Sequence, residues 1–380
     1  MTTPTLRTSE RTSLGTCPQQ WYWSWREGLV PKSRTGPNHF WFGIGQHEAL
    51  AAWYCGPGLQ RGPHPVETWQ RYVNGDIEYI KTKDATEEDV AQYTDALTLG
   101  TIMLQGYIDL YGEDEHMDVI QPEQTFAMDI PWPDRQEVYE AEKGSLLTRY
   151  VGTYDLVYRD LRTGWVVLGE HKTAKAISLD HLPMDNQGGS YWAMASQTLR
   201  AQGLIGPKER LRGIQYNYLR KGLPDIRPTD AQGYATNNPI KADYVTSITE
   251  SAQGRPIFGV DAKATLAHLE READRLGIVV LGKRSKVQPA PLFVRHMVHR
   301  TTKERATQLR RIQDEAVLAQ LYRDGRIPIT LNPSIWNCRG CPHKTMCELK
   351  ERGGNWEDFK ALQYDIRDPY RDHRKSAAEE

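Results

Sequence analysis

Apolar and polar positions along the 380-residue chain change period several times, and the changes outline its organisation. Residues 1–12 carry almost no apolar pattern and read as a mobile polar arm. A helix is expected around Cys17-Pro18 and the aromatic run Trp21, Tyr22, Trp23 and Trp25. The stretch at 46–54 has helical periodicity and carries His47 and Cys55 just beyond it, the latter expected as a small buried hydrophobe. Residues 56–66 are turn-rich and read as a loop. Thr86-x-x-Asp89 resembles a helix start, with Val90, Tyr93, Leu97 and Leu104 continuing roughly on one face. The pattern then becomes β-rich, with short strands expected at 119–130, 148–159, 165–172 and 212–220 and a helix at about 185–203 between the last two. Residues 222–260, rich in Pro, Gly, Asn and Asp, read as an insertion or long surface loop. Leu266, Leu269, Ala273 and Leu276 mark a helix stopped by Gly277, and Thr301-x-x-Glu304 opens a longer one. The charged tail after about residue 366 is expected to fray.

Composition narrows the classes. Basic residues number 48 and acidic residues 49, so no global positive field announces a nucleic-acid partner, and any such partner needs a local patch or metal ions. Mean hydropathy is −0.65 and no run of 18 apolar residues exists, which excludes a spanning helix. The polar start has no apolar core of a secretory signal, so the expected location is cytoplasmic. With 39% hydrophobic residues the chain can build a large core, and wholesale disorder is excluded. No GxxxxGK[ST] pattern is present, so no P-loop motor is encoded.

The central chemical signal is a pair of strands joined by Asp160–Gly164, a plausible hairpin loop. Antiparallel pairing then sets Asp155 opposite Glu170. Alternation puts Glu170 and Lys172 on that face while the His171 side chain points away. Two carboxylates so close repel unless a divalent cation lies between them. Mg²⁺ is commonly held by only one or two carboxylates, and it polarises phosphoryl oxygens. A neighbouring Lys orients water or neutralises developing charge. A solvated cross-strand charge pair is the plain alternative. The core-like run Trp165–Leu168 before Glu170 favours a cleft.

Gly152-Thr-Tyr-Asp155 followed by Gly169-Glu-His-Lys172-Thr173 resembles the core motif of the PD-(D/E)XK nuclease superfamily, in particular its RecB-like exonucleases and the related CRISPR-associated nucleases, some of them phage-encoded. Gln187-Gly-Gly-Ser-Tyr191 is similar to the family's Q-x-x-x-Y pattern. Its spacing puts Gln187 and Tyr191 on one helical face, where the resemblance implies DNA contacts. His47, ahead of the sheet, matches an early metal-binding His, and Glu123 sits where relatives often have a Glu. The resemblance thus implies Asp155, Glu170, the carbonyl of His171 and His47 as holders of Mg²⁺ or Mn²⁺, with Lys172 positioning the water. It implies a restriction-endonuclease-like α/β fold with a mixed central sheet flanked by helices.

Five cysteines, with no export signal, argue against a disulfide framework. Cys338-x2-Cys341-x5-Cys347 offers three thiolates, and Cys17 supplies a fourth from the other end of the chain. Thiolate clustering of this kind favours a metal, and four-thiolate zinc sites share the C-x2-C spacing. Iron–sulfur members of the RecB-like group hold a [4Fe–4S] cluster with a similar arrangement. The resemblance therefore implies a structural cluster stapling the two ends together. Zinc stays open.

The densest basic run is Arg295, His296, His299, Arg300, Lys303, Arg305, Arg310 and Arg311. With Lys172, Lys175, Arg220 and Lys221 it is expected either to line a DNA channel or to form a solvated helix face. The expected organisation is an arm at 1–12, a nuclease core at 13–220 including the N-terminal Cys, an insertion and helical region at 221–330, a cluster region at 331–365 and a tail at 366–380. The leading function is a metal-dependent exonuclease acting on single-stranded DNA ends in recombination, repair or end processing, with a recombination or replication protein as a possible partner. The alternatives are a non-catalytic DNA-binding or partner module on the same fold, and an endonuclease or nickase of the superfamily. If the chain is phage-encoded, its compartment is the host cytoplasm.

Overall fold

The computed structural model describes residues 4–32, 37–55, 58–83, 85–134, 144–255 and 257–371. In chain order the first part comprises β1 (Thr5–Leu6), α1 (Thr8–Thr16), α2 (Pro18–Trp21), a π-helical turn (Tyr22–Arg26), β2 (Leu29–Pro31), α3 (His39–Trp53), α4 (Pro65–Lys81) and α5 (Glu87–Tyr111). The central sheet and its crossover helix follow as β3 (Met117–Pro131), β4 (Leu146–Asp160), β5 (Trp165–Ala174), α6 (Asn186–Ala201) and β6 (Leu211–Arg220). Then come α7 (Lys241–Ser251), α8 (Leu266–Leu276), β7 (Phe293–His299), α9 (Thr302–Arg323), α10 (Ile335–Cys338), α11 (Lys344–Glu351), α12 (Trp356–Gln363) and β8 (Tyr364–Ile366).

The sheet runs β1-β4-β5-β6-β7, with β3 paired to β4. It is mixed: β3–β4, β4–β5 and β6–β7 are antiparallel, while β5–β6 is parallel through the α6 crossover. The β4–β5 hairpin pairs Leu156 with Gly169 through to Asp160 with Trp165, the register expected from the sequence. Gly164 closes its loop at φ +70, a conformation in which a side chain would be strained. Both faces of the sheet are buried, which explains the near-continuous apolar run of β4 and β5. One face packs Tyr150, Tyr154 and Leu168 against Trp192, Met194 and Leu199 of α6 and Ile312 of α9. The other packs Tyr158, Val167 and Leu219 against Leu50, Trp69, Leu104 and Tyr107 of α3, α4 and α5. The fold class is the mixed α/β arrangement expected. No helix among the described residues is long and apolar enough to cross a membrane.

Several expectations are corrected. The arm expected at 1–12 contains β1 and most of α1; residues 1–3 lie outside the described part. Leu6 and Leu14 are buried there. Glu10 and Arg11 are also buried, Glu10 paired with Arg323 and Arg11 with Glu315, so side-chain partners replace apolar periodicity. The region expected at 221–330 divides at residue 292. Residues 222–292 form a separate compact unit, built around Ile248, Leu269, Ala273 and Val280 of α7, α8 and their flanks. By contrast β7 rejoins the main sheet and α9 packs on α6. Cys55 is exposed, because α3 ends at Trp53 and leaves it on the following loop. Of the tail, Ile366 closes β8 against Leu29, and residues 372–380 lie outside the described part.

Four arginines of the basic run act as braces, while His299, Lys303 and Arg310 are exposed. Arg295 pairs with the buried Asp114 and stacks 3.6 Å over the Tyr111 ring. Arg300 donates to the carbonyls of Leu182 and Pro183, Arg305 to that of Ala193, and Arg311 to Asn186 Oδ1. Arg311 and Arg305 fasten the start and middle of α6 and Arg300 the turn before it, which positions the site below.

Candidate metal centre and thiol cavity

Three elements converge at the end of the β4–β5 hairpin. Asp155 and Glu170 are both buried, and Asp155 Oδ2 accepts from the backbone N–H of His171 at 2.8 Å. The carboxylate thus takes the place of a ladder partner just past the last paired residues, Leu156 and Gly169. Lys172 Nζ donates to Glu170 Oε1 and to Gln187 Oε1, each at 2.7 Å, and Gln187 Nε2 donates to the same Glu170 oxygen at 2.7 Å. Gln187 reaches the strand because α6 lies close on the sheet. A Cβ on Gly188 would overlap the Tyr216 hydroxyl, and one on Gly189 would meet Gln308 at 2.8 Å.

His47 enters from α3, its Nδ1 3.5 Å from Asp155 Oδ2. Glu123 enters from β3. Pro122 pairs with Leu156 and Gln124 with Tyr154, so Glu123 stands across from Asp155. Its φ of +44 is strained for a residue with a side chain, and such strain concentrates at functional sites. Ligand atoms of His47, Glu123 and Asp155 lie within 4.8 Å of one another. Glu170 is the neighbour of this trio, bound by Lys172 and Gln187.

The electrostatics follow from burial and crowding. Burial raises the Asp155 carboxyl, but the His47 cation outweighs it and holds the group down to about 2. Burial alone would lower His47; Asp155, with help from Glu170 and Glu123, pushes it up to about 9 instead. Burial and then the charge of Asp155 push Glu170 up to about 7, against the pull of Lys172. Glu123, although its side chain reaches solvent, is likewise pushed up to about 7 by desolvation and Asp155. The pocket therefore holds more carboxylate than its own cations neutralise. Carboxylate oxygens with one imidazole are a donor set suited to Mg²⁺ or Mn²⁺.

The His171 side chain points away, as alternation requires. Its Nδ1 lies 2.8 Å from Asn217 Nδ2, which also donates to the Tyr107 hydroxyl at 3.0 Å. Burial drops the ring to about 3, so it is neutral. Tyr191 is hydrogen-bonded to Gln187 and lies edge-on to Phe126 and Tyr154 at 5.5 Å. Gln187 and Tyr191 both line an open cleft with His47 and Asp155.

The four cysteines also meet. Cys17, at the junction of α1 and α2, and Cys338, Cys341 and Cys347 line one cavity of about 360 Å³. Burial and then the charges of Cys341, Cys17 and Cys338 push the Cys347 thiol up to about 12, and burial also raises Cys341. Four mutually repelling thiolates are stable together only around a soft cation or cluster.

The site residues that the sequence left least visible are Glu123, whose backbone turn carries no composition signal, and the hydroxyl-bearing face of α1. A family model described as the PD-(D/E)XK nuclease superfamily matches residues 8–348. No curated protein matches the chain.

Proposed function

The chain belongs to the PD-(D/E)XK nuclease superfamily, and from that premise we propose a metal-dependent deoxyribonuclease that degrades single-stranded DNA from its ends. The observation that carries the reading is the convergence of Asp155, Glu123 and His47 within 4.8 Å, beside a Glu170 already joined to Lys172. The excess of buried carboxylate is what a hard dication relieves.

In this reading Asp155, Glu123, His47 and Glu170, with the carbonyl of His171, would hold Mg²⁺ or Mn²⁺, which when bound supplies charge neutralisation at the phosphate and a more acidic water. Lys172, kept protonated by Glu170, presents Nζ–H to the attacking water and to the phosphoryl oxygens. Gln187 fixes the Lys172 ammonium from a second side, and the Asp155 carboxylate is fixed by the His171 N–H. Gln187 and Tyr191 contact the strand next to the scissile bond. Lys172→Ala tests the reading on end-labelled single-stranded DNA in Mg²⁺. A loss of about 10²-fold or more in rate is expected; degradation at the wild-type rate overturns the mechanism. Covalently closed single-stranded circles should resist the protein, and their cleavage would make it an endonuclease.

We also infer membership of the iron–sulfur, RecB-like branch, with Cys17, Cys338, Cys341 and Cys347 holding a [4Fe–4S] cluster that ties the termini. The one cavity lined by all four of these cysteines supports a thiolate-held group. Anaerobically purified protein should show a broad visible iron–thiolate band that Cys347→Ser abolishes. A colourless protein carrying stoichiometric zinc would replace the cluster by the zinc alternative.

A further inference from the structure

Helix α1 inverts the usual arrangement of a surface helix. Its two charged residues, Glu10 and Arg11, are 0% and 2% exposed, whereas its other face carries Thr8, Ser9, Thr12, Ser13 and Thr16, the Thr8 hydroxyl being taken by that of the buried Tyr150. A solvent face is normally rich in Lys and Glu. All five hydroxyl residues line a cleft of about 750 Å³ that also contains His47, Asp155 and Gln187, so the face continues directly from the metal centre. Ser13 Oγ is buried and has no hydrogen-bond partner among the described residues, so the hydroxyls of this face that an outside group can reach are those of Ser9, Thr12 and Thr16. Thr12 and Thr16 spend their hydroxyl protons on carbonyls four residues back, bonds a rotamer change can exchange for an outside acceptor. Arg7 is the only lysine or arginine among the lining residues.

Another part of the same cleft is apolar. Phe40 of α3 lines it and is 63% exposed, with the His39 ring 4.0 Å away. Ile44, one turn on and 61% exposed, prolongs that surface. The far end of the cleft is marked by Gln20, which also lines the thiol cavity. There the α1 terminus is held by Asn332 and Asn337, both donating to the Thr16 carbonyl.

We propose that a single DNA strand runs along α1 from the metal centre toward the thiol cavity, its phosphates on the hydroxyl face and a base on Phe40. The proposal rests on the nuclease reading, single-stranded substrate included, and adds the path. Hydroxyl donors accept a phosphate without the close fit of a charged side chain, and their small neutral tips raise no repulsion against a polyanion. A ring stacks only on a base whose face is free, which a duplex does not offer and a single strand does. Arg305 and Arg311 of the basic run are engaged in holding α6, and the path does not call on the run.

A consequence separates this path from a basic channel. Single-strand binding loses about 0.7 in log-log salt slope for each neutralised phosphate. With one arginine among the described lining residues, the slope should be only about −0.7.

The test is binding of dye-labelled oligothymidylate to the full chain, followed by anisotropy with Ca²⁺ in place of Mg²⁺. Thr12 is exposed, so its replacement leaves packing intact. Thr12→Glu should weaken binding about tenfold or more. Thr12→Lys, of similar size and opposite charge, should strengthen it and steepen the salt slope by about 0.7. Phe40→Ala should weaken binding about tenfold. Equal affinity in all four proteins overturns the path while leaving the nuclease reading in place; preference for duplex over single strand overturns the path and the single-strand part of that reading. Failure of the unaltered chain to bind either form of DNA overturns both.

Discussion

Lys172 Nζ meets Glu170 Oε1 at 2.7 Å, two residues apart on one strand and on the same face of it. The contact does not make Glu170 comfortable. Burial and Asp155 still leave its carboxyl at about 7, above the ordinary range, so ionising it costs free energy that a bound dication would offset.

Glu170→Gln should therefore separate stability from activity. The amide keeps the shape and the approach of Lys172 and Gln187, and removes a buried charge. At pH 8 without divalent metal, the variant should melt a few degrees higher than the unaltered chain. Its Mg²⁺-dependent cleavage should fall by about 10²-fold or more. Thermal scans with and without Mg²⁺ check both halves. A variant that melts lower would show that Glu170 is stabilising, contrary to its raised pKa.

The metal-free protein should lose stability as pH rises from about 5 to about 9. Glu170 and Glu123 sit at about 7 in the folded chain, above their ordinary value near 4.5, so the folded state holds more protons between those limits. His47 acts in the same direction at higher pH. Its stabilising charge is fully present below about 6.5 and is lost as pH rises through about 9. Asp155 opposes neither, because its depressed value matters only as pH falls toward about 2. Denaturant titrations in EDTA should show the decline, and saturating Mn²⁺ should flatten it. A metal-free stability that rises over this window would contradict the crowding of these groups.

The hairpin was the most legible part of the chain, because alternation and a short glycine-closed loop leave its register little freedom. Asp155, Glu170 and Lys172 came together for that reason. The meeting of Cys17 with the C-terminal thiols depended on resemblance, since no local rule links positions so far apart. Helix α1 was hidden because Glu10 and Arg11 are held by ion pairs with Arg323 and Glu315, partners more than 300 residues away in sequence. Arg295 was hidden in the same way: whether it faces solvent or Asp114 is decided by tertiary pairing alone. The positive φ of Glu123 has no sequence signature, because glutamate is not among the residues that favour that region.

Glu123→Gln should weaken the metal rather than the fold. The residue lies across from Asp155 and belongs to the trio that converges within 4.8 Å. The amide retains the strand and the strained backbone but offers a neutral ligand. The Mn²⁺ concentration for half-maximal cleavage should rise about 10- to 100-fold, with a melting temperature in EDTA equal to or above that of the unaltered chain. An unchanged metal requirement would leave Glu123 outside the centre.

Behind the site, a buried hydrogen-bond chain runs from His171 Nδ1 through Asn217 and the Tyr107 hydroxyl to the Arg295–Asp114 pair, with Tyr54 also donating to Asp114. Asp114 is 4% exposed and its carboxylate faces the Arg295 guanidinium through two donors. Arg295→Met strands that carboxylate and should cost about 3–5 kcal/mol. Adding Asp114→Asn removes the stranded charge and should recover most of the loss, because the amide can still accept from Tyr54. Asn217→Leu breaks the chain nearer the strand and leaves His171 Nδ1 without its donor, for about 1–3 kcal/mol. Urea unfolding of the two single variants and the Arg295–Asp114 double gives the coupling energy directly. Additive losses across Arg295 and Asp114 would mean that the pair contributes nothing beyond packing, and that the strand carrying Glu170 and Lys172 is fixed by the sheet ladder alone.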